Sequence, residues 1–288
     1  MFDPHGDLAE GLLPSVPEKW IPKTAWLDPA DAGYPVAFNV LKGSYGRKSQ
    51  LIASVVDVFQ TLFQSSWGPR TDYILSHAVA VLAEVPGASL LGIPKLLLDS
   101  AYRKKCLKSL HDPLLMEFWE KEYRQMPARL RIESIAPLLN KVTRFLMVPM
   151  IRNMRGQREN RLDLRRIMDG EEVFLVNLAK GMMGAENSRL LGNFLLAHLQ
   201  LAAFSRADTP YSERKPFTLF IDELHHFATA NTEHLSALLA EGRKYRINLV
   251  LACQHLAQLG SLADSIFGNV GTLVVFNVGP EDAKKIGA

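Results

Sequence analysis

A chain of 288 residues, 48% hydrophobic and 22% charged, can bury a sizeable core as one large domain or two modest ones. Its two cysteines, Cys106 and Cys253, are too few and too far apart for a disulfide framework or a metal knuckle, so a reducing, cytoplasmic setting is expected. No apolar run approaches the roughly 18 residues of a membrane-spanning helix, no signal peptide is visible, and the formal charge of +3 conceals an uneven distribution.

In chain order, residues 1–41 hold short extended runs, Thr24-Ala25-Trp26-Leu27 and Val36-Ala37-Phe38, between Pro, Gly and Asp turn markers. Asp3-Pro4-His5-Gly6-Asp7 sets two acids around a histidine, a cluster that on a turn is more often structural than metal-binding. Gly43-Ser44-Tyr45-Gly46-Arg47-Lys48-Ser49 is glycine-rich and ends in Lys-Ser. However, Arg47 separates Gly46 from Lys48, and Leu41 stands where a phosphate loop needs its first glycine. It reads as a linker.

Apolar residues then recur at helical spacing from Ser49 to about Phe63 and from Tyr73 to Leu82. Prolines 86, 94, 113, 127, 137 and 149 are expected to punctuate this block into helices of one to four turns. Nothing between about 45 and 165 reads as a strand. From 100 to 170, sixteen basic residues face eight acidic ones. That excess favours a polyanion partner, and an Arg-rich solvated helical surface explains it equally well.

After Asp169-Gly170 the pattern changes. Strands are predicted at 172–178, at 217–221, at 247–253 and at Thr272-Leu273-Val274-Val275-Phe276. Helices are predicted from Asn187 to Ala203, from Leu235 to Tyr245 and near 262–267. Continuous apolar strands alternating with helices indicate α/β architecture, with a parallel sheet covered on both faces.

The run Phe217-Thr218-Leu219-Phe220-Ile221 ends in two adjacent carboxylates, Asp222 and Glu223. A strand end can lift acids out of a core into a cleft, where nucleotide hydrolases use them for magnesium and water. A helix N-cap is the plainer explanation. The next strand ends in Cys253-Gln254-His255, so Gln254 can reach the same cleft as a γ-phosphate sensor, or serve only as a capping amide. Arg243 precedes that strand, at the end opposite the acids. It suits either a finger acting in trans on a neighbour's site or a cation matching a helix C-terminus. His225-His226 lacks the His-Glu-x-x-His spacing of a helical zinc site.

Taken together, Asp3-Pro4-His5-Gly6-Asp7-Leu8, Trp67-Gly68-Pro69-Arg70, Val176-Asn177-Leu178-Ala179-Lys180-Gly181, Phe220-Ile221-Asp222-Glu223, Glu241-Gly242-Arg243-Lys244-Tyr245, Cys253-Gln254 and Gly268-Asn269-Val270-Gly271-Thr272 resemble the HerA/FtsK-like ATPases. The resemblance is to the branch of type IV secretion coupling proteins (TraG/TraD-like). It implies a RecA-like core in two parts, 1–44 and 166–288, with an all-α insertion at 45–165. It also implies that Asp222 and Glu223 form the Walker B element, with Asp222 holding Mg2+ through water and contacting ATP, Gln254 as sensor and Arg243 as trans arginine finger. DNA, a homo-hexameric parent and relaxase or other secretion-system components follow as expected partners, with the parent at the cytoplasmic face of an inner membrane. The family's phosphate loop lies just before the Asp-Pro-His-Gly-Asp segment, on an interior strand. The resemblance therefore makes this chain a fragment lacking that strand and loop, expected to bind ATP weakly by itself. A nucleic-acid-binding or adaptor module without ATPase activity is the alternative.

Overall fold

The computed structural model describes residues 1–31, 33–43, 48–148, 160–178, 180–227 and 233–287. They form two compact units, Met1–Leu27 with Leu164–Ala288, and Asp28–Asp163. In chain order the first unit begins with β1 (Phe2–Asp3), α1 (Asp7–Leu12) and β2 (Thr24–Leu27). The second unit follows with α2 (Lys48–Leu62), α3 (Pro69–Glu84), α4 (Gly92–Leu98), α5 (Ser100–Leu107), α6 (Pro113–Glu117), a π-helical turn at Phe118–Tyr123 and α7 (Ala128–Leu146). The chain then returns to the first unit through α8 (Leu164–Asp169), β3 (Val173–Asn177), α9 (Lys180–Met183), α10 (Ala185–Ser205), β4 (Phe217–Ile221), α11 (Glu233–Glu241), β5 (Ile247–Leu251), α12 (Leu262–Asn269) and α13 (Pro280–Ile286).

The sheet has five parallel strands in the order β2-β3-β1-β4-β5. β1 lies at its centre although it is two residues long. Phe2 pairs in register with Val176 on one side and Ile221 on the other, and is fully buried. Its ring meets Phe174 edge-on at 6.4 Å and Phe227 at 6.2 Å, forming the aromatic centre of the core. α10 packs nearby through Leu191, Phe194, Leu195 and Ala202, all nearly inaccessible. Gly192 in that helix makes the approach possible, because a Cβ there would lie 2.3 Å from Phe227 Cε1.

The strands expected at 172–178, 217–221 and 247–253 appear as β3, β4 and β5. The fourth does not. Residues 272–276 carry no strand, and Val274 and Phe276 are 71% and 87% exposed. An apolar run becomes a strand only when a neighbour completes its ladder of hydrogen bonds, and the described residues supply none there. β5 is accordingly the outer strand, with Val250 exposed beside Phe220 of β4.

In the second unit every regular element among the described residues is helical. Residues 28–43 group with this unit, and the reason is local. Phe38, Val40 and Leu41 are buried, Asn39 Nδ2 donates to Ala88 O at 2.8 Å, and Asn160 Nδ2 donates to Lys42 O at 3.0 Å. The Val36–Phe38 run is thus anchored in a helical core without joining a sheet. Pro113 starts α6 at its first turn and Pro127 precedes α7, as helix boundaries should. Pro137 instead sits inside the 19-residue α7, where burial of Ile135, Leu138 and Val142 outweighs the lost backbone bond. Pro149 lies outside the described residues, as do four residues of the glycine-rich linker, 44–47. No helix among the described residues is long and apolar enough to cross a membrane.

Candidate active-site edge

All five strands point the same way, so their carboxyl ends share one edge of the sheet, where open α/β folds place ligands. β4 leaves that edge through Asp222 and Glu223. Asp222 N still donates to Phe2 O at 3.0 Å, and Leu224 N donates to Ala252 O at 2.8 Å, so the two acids sit on a bend held from both sides. Glu223 adopts the left-handed conformation, φ 46°, which is unusual for a residue with a side chain. The bend is forced because the chain turns at once into a 3-10 turn, Leu224–His226, whose Leu224 and following Phe227 are buried.

The Glu223 carboxylate is held by two neighbours. Gln254 Nε2, from the end of β5, donates to Oε1 at 2.6 Å. His225 Nδ1 lies 3.0 Å from Oε2, within ion-pair distance. The two atoms are not aligned for a hydrogen bond, so Oε2 and His225 Nδ1 are both buried without a hydrogen-bond partner among the described residues. The sequence-based pairing of Gln254 with the acids is therefore a contact in the structure. His225 was not foreseen, because its reach depends on the left-handed turn at Glu223.

His226, the next residue, turns inward. Its Nε2 lies 3.0 Å from Ser188 Oγ of α10, and burial, followed by the charges of Lys180 and Arg189, pushes its pKa down to about 3. The ring is neutral and anchors the turn to the helix beneath.

Asp3, at the end of β1, resolves the Asp-Pro-His-Gly-Asp cluster. Its Oδ1 accepts from His5 N and its Oδ2 from Ala9 N, both at 2.9 Å, so both oxygens serve the backbone at the start of α1. His5 is exposed. Among the described residues no three His, Cys, Asp or Glu side chains converge to hold a metal. Gly6 completes the clasp at φ 99°, where a Cβ would lie 2.5 Å from Asn177 Oδ1. Asn177 ends β3, is 3% exposed and donates from Nδ2 to Glu10 Oε1 at 3.0 Å. Gly6→Ala combines an unfavourable φ with a clash against this clasp. It should lower unfolding stability by about 2–3 kcal/mol in urea titration, and an unchanged midpoint would contradict this account.

Arg243 lies in the 3-10 turn Gly242–Tyr245 just before β5, at the amino ends of the strands, and is exposed. Within one chain it is therefore on the side opposite Glu223. Asp282, from α13, was also missed. It is 6% exposed, accepts from Leu256 N at 3.3 Å and stands 3.6 Å from His255 Nδ1, tying α13 to the loop that follows Gln254.

Residues 182–287 match the family described as type IV secretion-system coupling protein DNA-binding domain. No curated protein matches the chain. Among solved structures, the bacterial conjugative coupling protein TrwBdeltaN70 in its unbound monoclinic form superposes with TM-score 0.60 at 16% identity. The plasmid coupling protein TrwB in complex with ADP and Mg2+ gives TM-score 0.61 at 15% identity. Each alignment covers 99% of this chain but only 62% and 64% of the other, so the chain spans under two thirds of these relatives. At such identity the structural likeness establishes the fold, and the family match supports the resemblance drawn from the motifs.

Proposed function

We propose that this chain, a RecA-like relative of the type IV coupling proteins, is the water-activating part of an ATP-driven DNA-translocating motor of conjugation or secretion. In the finer reading it belongs with the HerA/FtsK-like, TraG/TraD-like branch and works in a homo-hexamer, with secretion-system components as partners. The observation that carries the proposal is the convergence of Asp222, Glu223 and Gln254 on one edge of a parallel sheet, with Gln254 bonded to Glu223.

The residues fit a hydrated magnesium ion brought by a nucleotide, and not a protein-only metal cage. Mg2+ keeps several waters and takes one or two carboxylates plus phosphate oxygens, which Asp222 suits. When bound, the metal supplies charge neutralisation at the phosphates. Glu223 has the remaining requirement, a carboxylate oxygen with no hydrogen-bond partner among the described residues, which can orient water once His225, 3.0 Å away, gives place to it. Gln254 holds the other oxygen in place. Arg243, exposed at the opposite end of β5, suits a role across a subunit boundary. TrwB has been solved with ADP and Mg2+ and with the non-hydrolysable ATP analogue ADPNP, which supports nucleotide as the fuel.

The 288 residues contain no Gly-x-x-x-x-Gly-Lys-Ser/Thr pattern, and this favours the second reading, a nucleic-acid-binding module without turnover. Glu223→Gln separates the two readings. In the assembled motor it should reduce DNA-stimulated ATP hydrolysis by about 10²–10³-fold while nucleotide binding persists. Hydrolysis and DNA transfer that are indifferent to this change would remove the motor reading.

A further inference from the structure

In the second unit, α4, α5 and the loop before α4 line an open cleft of about 690 Å3 that the motor reading does not use. Its floor is apolar, made by Val85, Ala88, the Tyr102 ring and the Cys106 side chain, and Lys95 and Lys105 line it from two helices. A cavity of this size is in the ordinary range for small organic ligands.

The charge around it is one-sided. From Gly92 to Leu110 the basic residues are Lys95, Arg103, Lys104, Lys105 and Lys108, and the only acid is Asp99. Asp99 is consumed as the cap of α5, accepting from Ala101 N at 2.8 Å and Tyr102 N at 3.1 Å. Glu84, just upstream, is paired with Lys48 at 2.5 Å. Arg103 is likewise committed, donating to Leu96 O at 2.8 Å and stacking 5.1 Å over Tyr123. Lys95, Lys104, Lys105 and Lys108 are exposed, and no described acid pairs with them. The cavity adds no negative charge of its own. Burial pushes the Tyr102 hydroxyl up to about 12 and the Cys106 thiol upward.

We infer that this cleft is a nucleotide-binding site, taking a base against the Val85–Tyr102 floor and phosphate on Lys95 and Lys105. The combination decides the ligand class. Phosphate alone would not use the apolar lining, and an apolar ligand alone would not use the unpaired lysines at its rim. A nucleotide supplies both, either as a unit of single-stranded DNA or as a free nucleotide. The strand is the source that fits the DNA-handling reading above, on which this identification of the source rests, and Lys104 and Lys108 extend the positive charge along α5 for neighbouring phosphates.

The test is fluorescence anisotropy of a labelled oligothymidylate with the whole chain, alongside titration with a free deoxynucleoside monophosphate. Lys95→Glu/Lys105→Glu, with unchanged helical circular dichroism, should weaken oligonucleotide binding at least about tenfold and flatten its salt dependence. Lys19→Glu/Lys23→Glu, in the first unit, should not. A 5-iodouracil oligonucleotide should crosslink to the peptide carrying Tyr102. If only the free nucleotide binds and the Lys95/Lys105 variant loses it, the cleft stands and the DNA reading falls. Oligonucleotide binding that ignores the Lys95/Lys105 change overturns the cleft and leaves the DNA reading intact. Preference for a poly-glutamate peptide, or no binding of either nucleotide ligand, also overturns the cleft.

Discussion

Replacing Arg206 with methionine should lower the unfolding free energy by about 3–5 kcal/mol, measured as a shift in urea midpoint at constant slope. Arg206 is fully buried at the end of α10, and its guanidinium is shared among three elements. Nε donates to Asp169 Oδ1 at 2.8 Å, one terminal nitrogen to Tyr245 O at 2.9 Å, and the other to Lys215 O at 2.6 Å. Burial lowers its pKa, and Asp169 opposes that effect. Asp169 is partly exposed and keeps Arg165 as a partner, so the loss does not come from a stranded buried charge. It comes from the two carbonyls, each left without its charged donor, and from the volume removed. Arg206→Lys should recover little of the loss, because one ammonium cannot reach three acceptors in the plane that the guanidinium spans. Since Tyr245 and Lys215 flank β5 and β4, loosening this knot loosens the strands that carry Gln254 and Glu223. A loss below about 1 kcal/mol would show that the knot is incidental.

The sequence revealed this architecture unevenly, and the differences have physical causes. β3, β4 and β5 were legible because each is a continuous apolar run, the pattern imposed by burial of a parallel sheet. β1 was illegible because Phe2–Asp3 is too short to show any period, yet it holds the sheet's centre through two ladders. Residues 272–276 were over-read for the converse reason: composition can favour a strand without supplying its neighbour. At the candidate site, Gln254 could be placed beside Glu223 from the rule that adjacent parallel strands end on one edge. His225 could not be placed, because its approach depends on the positive φ of Glu223, a conformation that glutamate does not advertise. Asp3 is a related case. Its acid–histidine cluster reads from the sequence as more often structural than metal-binding, and the sequence does not say which groups it holds; the structure shows both oxygens occupied by backbone donors. Arg206 carried no signal at all. An arginine ending a helix normally reads as a solvated match to the macrodipole.

Acidification should weaken the fold well above the carboxylate range, and His226 supplies about half of the effect. Its ring is 5% exposed and faces the edge of Phe227 at 5.4 Å, and its pKa is held down to about 3 from 6.5. The groups around it reinforce the burial: Lys180, Arg189, His225 and His5 are all cationic or able to become so. The unfolded chain therefore takes up the proton first. Stability is complete above about pH 6.5 and falls as the pH drops towards 3, with a loss of about 1–2 kcal/mol by pH 5. His234, whose pKa burial lowers to about 4, adds a loss of the same sign, with Nδ1 against Gln200 Oε1 at 2.6 Å and Nε2 buried without a hydrogen-bond partner among the described residues. Urea denaturation at pH 7 and pH 5 measures the sum. His226→Gln, which can still meet Ser188 but cannot titrate, should remove about half of the difference. An equal pH dependence in that variant would show that His226 is not responsible. The consequence reaches the proposed chemistry, because His226 anchors the turn that begins at Glu223. Protonation favours release of the ring from Ser188, and release of the ring frees the turn that holds the carboxylate between Gln254 and His225. A motor built on this edge should therefore lose the geometry of its water-orienting residue before its sheet melts.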